Sequence, residues 1–173
     1  LADMRRRVAP DFTIRSLQPH EGERRVIELV EPIQSNRAAR GLDTASEANR
    51  LRASTLAMQG SAPVITGPIR LVQSGPGSSM GMLMLLALPA PSSAAIRYGV
   101  DAGPLGYVYA PIQLDELLTA ARIRTDLIEF RILDTTDGQK PQDYLLPPNS
   151  NAQQAAGPSV ALEREIMGRR WRF

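Results

Sequence analysis

The sequence predicts an α+β fold built on antiparallel sheets, and three observations predict it. Two apolar arms, PVITGPIRLVQ from Pro63 and MGMLMLLALP from Met80, flank a Ser/Gly/Pro break at 74–79. Each is too short for an ordinary helix, so they read as adjacent antiparallel strands. Between the N-terminal strands and this pair, Thr44-Ala45-Ser46-Glu47 has the form of a capping box, opening a helix that runs to about Gln59 and stops at Gly60. After Arg122 the pattern changes: Leu127 to Leu133 (LIEFRIL) alternates apolar and polar and leads into an Asp-Gly turn at 134–138. That places a boundary near 122–126, with a larger α+β unit before it and a smaller sheet-rich unit after it.

The elements follow in order. LADMRRRVA reads as the last turns of a helix stopped by Pro10, and its bare start predicts more helix upstream. FTIRSL (12–17) and RVIELVEPI (25–33) read as two strands of a hairpin, with the turn at Gln18–Gly22. NRAARGLD (36–43) carries one helical turn and a Gly break. On the helix from Thr44, Leu51, Thr55 and Met58 form one stripe and Asn49, Ala53 and Leu56 another, which sets an amide at the edge of a buried face. In the first arm Val64, Thr66 and Pro68 point one way and Ile65, Gly67 and Ile69 the other, if Pro68 leaves the pleat intact. The second arm is apolar on both faces, so both must be covered, one by the upstream helix and the other by a cavity or a further layer. Ala90–Pro104 reads as a loop, Leu105–Ile112 as a strand with Tyr107 and Tyr109 on one face, and Leu114–Arg122 as a short amphipathic helix. Tyr144–Leu146 reads as a strand, Asn149–Gly157 as a floppy stretch, and Met167–Phe173 as a closing strand.

Composition narrows the function classes. With 173 residues, 43% hydrophobic and 22% charged, the chain can bury a core of one or two small domains. Its net charge of +2 is small and its arginines are scattered apart from Arg5-Arg6-Arg7, with no basic helix carrying aromatics, which argues against nucleic acid as a partner. The absence of cysteine removes disulfides and thiolate chemistry without choosing a compartment. The longest apolar run, Met80–Pro91, falls short of the ~20 residues that cross a bilayer, and no signal peptide is recognised. The chain is therefore expected to be a soluble protein or a soluble segment from between membrane spans.

Catalytic signatures are weak. His20, the only histidine, lies in a turn beside Glu21 and Glu23 and cannot by itself build a metal site. GPGSSMG lacks the lysine and the following helix of a phosphate loop, no nucleophile motif surrounds a serine, and Asp115-Glu116 reads as a solvated helix face. No cofactor is expected.

Taken in order, DFTIRSL, RVIELVEPIQSN, NRLRASTLAMQG, TGPIRLVQ, LALP, GYVYAPIQLDELL and the closing GRRWRF resemble the CHASE domain, the extracytoplasmic sensor of membrane-bound histidine kinases, cyclases and plant cytokinin receptors. The resemblance implies a stalk helix (ending at 1–9), a membrane-distal PAS-like unit (10–122) that binds ligand, and a membrane-proximal PAS-like unit (123–173), the two sheets joined by a short helix. It also implies a homodimer through the stalk helices, a periplasmic location in a membrane-anchored receptor, and an adenine-type cytokinin as ligand, held in the distal pocket.

Carried over by position, the resemblance puts Asn49 where the plant receptors have an acid against the adenine. An amide is competent there because it both donates and accepts. Val72 falls where backbone touches the purine, Ile69 at an aromatic position, Ala87 in place of a threonine, and Tyr109 in place of a glycine, narrowing the pocket floor. Thr66, Leu42 and Ala53 complete the implied lining. The implied function is sensing of an N6-substituted adenine, isopentenyladenine in type, with signalling to a histidine kinase. The alternatives are a ligand-free dimerisation module whose pocket is filled by its own side chains, a sensor of another small molecule feeding a diguanylate cyclase, and a small-molecule enzyme.

Overall fold

The computed structural model describes residues 2–72, 80–90, 103–122, 131–138, 141–145 and 158–173. The expected turn at 74–79, most of the loop at 90–104, the first half of LIEFRIL, Leu146 and the stretch 149–157 lie outside the described residues. The elements are helix α1 (Ala2–Arg7), β1 (Arg15–Ser16), α2 (Ile33–Asn36), β2 (Leu42–Asp43), a 3-10 turn (Thr44–Ser46), α3 (Ala48–Gln59), β3 (Val64–Ile65), β4 (Gly81–Leu88), β5 (Gly106–Gln113), α4 (Leu114–Ala120), β6 (Ile132–Asp134), β7 (Gln142–Leu145), β8 (Glu163–Ile166) and β9 (Arg169–Arg172). An α+β chain with antiparallel sheets results, in the order β3-β4-β5 and β7-β6-β9-β8, with a short parallel pair β1-β2.

The two apolar arms pair as expected, Val64 opposite Leu85 and Ile65 opposite Met84. Pro68 does interrupt the pleat. The register shifts by one residue before the Ile69–Gly81 bridge, so Ile65 and Ile69 face opposite sides instead of one. Both faces of β4 are covered along Met82–Leu85. Leu83 and Leu85 pack with Ala53, Ala57, Ile69 and Leu71 under α3. Met82 joins Ile65, Leu114, Ile132, Tyr144 and Trp171, so the second cover is the C-terminal sheet. Each leucine, isoleucine or methionine among them contributes about 1.5–3 kcal/mol when buried. Of LIEFRIL, the described residues Ile132 and Leu133 pair with β7 and β9 and not with β4. Contact between the sheets was expected mainly through Leu114–Arg122. Leu114 does contribute, but Ile65 and Met82 on the sheet face carry it as well, with the Tyr144 hydroxyl donating to the Thr66 carbonyl.

Three local expectations are corrected. The segments 12–17 and 25–33 form no hairpin; both lie against residues 41–44. Arg15 N donates to Gly41 O, Ile27 N to Leu42 O and Thr44 N to Arg25 O, at 2.9, 2.9 and 2.8 Å. Gly41 permits this crossing because its φ is +79° and a Cβ there would lie 2.0 Å from the Thr13 carbonyl oxygen. The helix starts at Ala48, not Thr44. Glu47 is its N-cap, accepting from the amides of Asn49 and Arg50, while Thr44 sits in the 3-10 turn with its hydroxyl donating to Arg25 O. Lastly, the closing strand is present as β9 but begins at Arg169 and not Met167: Met167 and Gly168, with φ of +47° and +79°, turn the chain between β8 and β9.

Candidate functional site

Helix α3 meets the sheet through Arg50, Ala53, Ser54 and Ala57, while Leu51 and Leu56 stay exposed. Neither expected stripe is therefore the buried one, although Ala53 belongs to it. Small residues on this face bring α3 close to Leu83 and Leu85, which supply the bulk of the contact from the sheet. Tyr107 and Tyr109 of β5 pack against the same cluster, sharing one face as alternation requires. Tyr109 also packs against a neighbouring cluster of Ile27, Ala39 and Leu42, as does Val72.

Five of the eight residues singled out from the sequence thus converge on one place. Leu42, Ala53, Ile69 and Val72 belong to or pack on the two clusters that meet at Tyr109. Ala87 is half-buried on β4 opposite Tyr107. Thr66 is fully buried but serves the sheet: its amide donates to Leu83 O and its hydroxyl accepts from Leu83 N. Asn49 is half-buried in the first turn of α3, and its Nδ2 donates to the Pro68 carbonyl at 3.0 Å. The amide expected to read an adenine edge thereby ties the helix to the bend after β3.

A cleft of about 730 Å³ lies between the extended segment Glu23–Glu31 and β5, with Met58 and Leu88 among its walls and Tyr107 and Tyr109 facing it. Of the eight sequence-predicted residues only Tyr109 lines it. The two tyrosines differ in their hydroxyls. Tyr107 Oη lies 2.5 Å from Thr44 Oγ1; burial raises its pKa against the opposing hydrogen bonds of Thr44 and Ser54. Tyr109 Oη is buried with no hydrogen-bond partner. Burial, helped by Tyr107 and opposed by Arg50, pushes it up to about 12, so it stays protonated at any physiological pH.

The sequence reading missed three charged groups around this place. Arg50 is 3% exposed; its guanidinium donates to the Arg70 carbonyl at 2.8 Å and stands 3.6 Å from Glu47. Burial lowers its pKa, with Glu47 and Tyr109 acting against that shift. Arg25 lines the cleft and donates to Ser54 Oγ and Thr55 Oγ1 on α3. Asp43 is fully buried beneath the same segment. The i,i+3 spacing of Glu47 and Arg50, and of Arg50 and Ala53, was the available signal for Arg50; nothing local marks the other two.

Among the described residues no helix is long and apolar enough to cross a membrane, and no group of three acidic or histidine side chains could hold a metal ion. What the site offers is an aromatic and aliphatic interior with a few polar groups, the make-up of a binding pocket. No curated protein matches the chain. The model of the CHASE domain family matches residues 1–144, which include all of the elements that build this site. The chain belongs to the CHASE domain family, the extracytoplasmic sensory domains of receptors, and this segment is a sensory and not a catalytic domain.

Proposed function

We propose that this domain is the ligand-sensing part of a membrane-anchored two-component receptor, that its ligand is a small N6-substituted adenine of isopentenyladenine type, and that the signal passes to a histidine kinase. The observation that carries the ligand reading is the convergence of Leu42, Ala53, Ile69 and Val72 on Tyr109, beside a cleft of about 730 Å³. That volume is within the roughly 300–1,000 Å³ range of small-molecule sites, and flat tyrosine rings suit a purine face. Residues 10–122 would be the distal, ligand-binding unit and 123–173 the proximal one, with two copies pairing through stalk helices.

The ligand-free reading has one observation in its favour, since the Tyr109 ring itself occupies the meeting point of the two clusters. A thermal-shift titration of the 173-residue chain with adenine, isopentenyladenine, zeatin and unrelated purines separates the two. A ligand present at about 100 times its Kd stabilises the fold by about 2.7 kcal/mol. No shift with any N6-substituted adenine overturns the adenine assignment.

A further inference from the structure

We infer that Tyr109 is a displaceable plug. Its ring fills an interior slot made for a planar aromatic group of the ligand, and the cleft beside β5 is the space into which the ring swings. The inference rests on the ligand-sensing reading and adds how the site opens.

Three observations carry it. The ring sits where two apolar clusters meet, among side chains drawn from β2, α3, the segment after β3, and β4. Its hydroxyl is closed off from water yet bonded to nothing, a state that disfavours the closed position by a factor of about 5 to 150 relative to one in which the hydroxyl is satisfied. The ring already borders the cleft, so moving it there requires no unfolding of β5. Tyr107, two residues away on the same face, is the contrast: its hydroxyl is held by Thr44, which in turn is held by Arg25, and it is fixed.

The chemistry of the slot defines the ligand. Its walls are largely aliphatic, drawn from Ile27, Leu42, Ala53, Ile69 and Leu85, so the occupant that replaces the phenol ring is a flat, largely apolar aromatic ring of similar size. A purine meets that description, with Asn49 left on the Pro68 carbonyl.

The test uses the whole chain with Tyr109→Phe, Tyr109→Ala and Tyr107→Ala, probed by p-cresol and by isopentenyladenine. Tyr109→Phe removes the orphaned hydroxyl, so it should melt at the same temperature as the parent or higher and bind isopentenyladenine more weakly. Tyr109→Ala should melt lower, recover with millimolar p-cresol, which supplies the missing ring, and bind isopentenyladenine about 10-fold or more tightly than the parent because no closed state competes. Tyr107→Ala should show no such gain. If Tyr109→Ala does not fold alone, Tyr109→Leu carries the same comparison. A clear loss of stability in Tyr109→Phe, or no response of the truncated variants to p-cresol, overturns the plug. Recovery by p-cresol with no binding of isopentenyladenine to any variant supports the slot and overturns the adenine assignment instead.

Discussion

His20 Nε2 lies 2.7 Å from Oδ2 of Asp43, a carboxylate with no solvent exposure. The other oxygen, Oδ1, accepts from the amides of Arg25 at 3.0 Å and Ala45 at 3.1 Å. One carboxylate therefore ties the 18–25 turn, the cleft wall and the 3-10 turn before α3 together. Burial acts to raise the Asp43 pKa, but the His20, Arg25 and Ala45 hydrogen bonds outweigh it, and the group titrates below the ordinary value of 3.8.

The sign of the pH effect follows from that lowered value. The unfolded chain binds this proton more readily than the folded one, so the stabilisation is fully present above about pH 4 and is lost as pH falls through the folded value. Asp43→Asn should destabilise the fold by about 1.5–3 kcal/mol near neutrality. In urea titrations its deficit should shrink below about pH 4, where the parent loses the same interaction. A deficit that stays constant from neutral to acid would show that the ionised form is not what matters.

Asn49 and Gly67 should behave as a coupled pair. Asn49→Ala removes the bond to Pro68 O and should cost about 0.5–1.5 kcal/mol. A Cβ added at Gly67 would meet the Asn49 side-chain carbon and oxygen at 3.0 Å, so Gly67→Ala should destabilise the parent and do so much less beside Asn49→Ala. A double-mutant cycle by chemical denaturation measures this, with about 0.5 kcal/mol or more of coupling expected for groups in contact. Additive effects would mean that the amide gives way freely.

In the C-terminal sheet, Arg169 Nε donates to Asp134 Oδ2 at 2.6 Å, with the two residues 6% and 3% exposed. Removing one partner leaves a buried charge uncompensated. Arg169→Leu or Asp134→Leu alone should cost about 3–5 kcal/mol, and replacing both by leucine much less than the sum. Equilibrium unfolding of the three variants decides it, and a double variant that costs as much as the two single variants added together would point to packing as the stronger term.

Tyr144→Phe tests the join between the sheets. Its hydroxyl donates to the Thr66 carbonyl, and its ring centroid lies 4.9 Å from that of Trp171. Loss of the hydroxyl should cost about 1–3 kcal/mol, because a buried carbonyl loses its partner while the ring contact remains. Near-UV circular dichroism should keep the aromatic signal. If that signal collapses, the hydroxyl sets the packing of the two sheets and not just its strength.

Short-range rules made much of this protein legible from its sequence. The strand expected at Leu105–Ile112 and found at Gly106–Gln113, the two arms around residues 64–88, the end of α3 at Gly60 and the strand at Ile132–Asp134 each depend on a pattern or a turn residue within a few positions, and each is present. The order of motifs also carried the family, since order survives where single contacts do not. What the tertiary structure alone decided is which of several locally acceptable partners each group took. Thr44 could cap a helix, but the approach of Arg25 and Tyr107 gave its hydroxyl other partners and left capping to Glu47. Residues 12–17 and 25–33 could have paired with each other, yet Gly41 let the chain at 41–44 pass between them. Leu51 and Leu56 lost the buried face of α3 to Ala53 and Ala57, because the bulk that fills that contact comes from Leu83 and Leu85, more than 20 positions away. A local pattern states what a side chain can do; the distant residues that compete for it decide what it does.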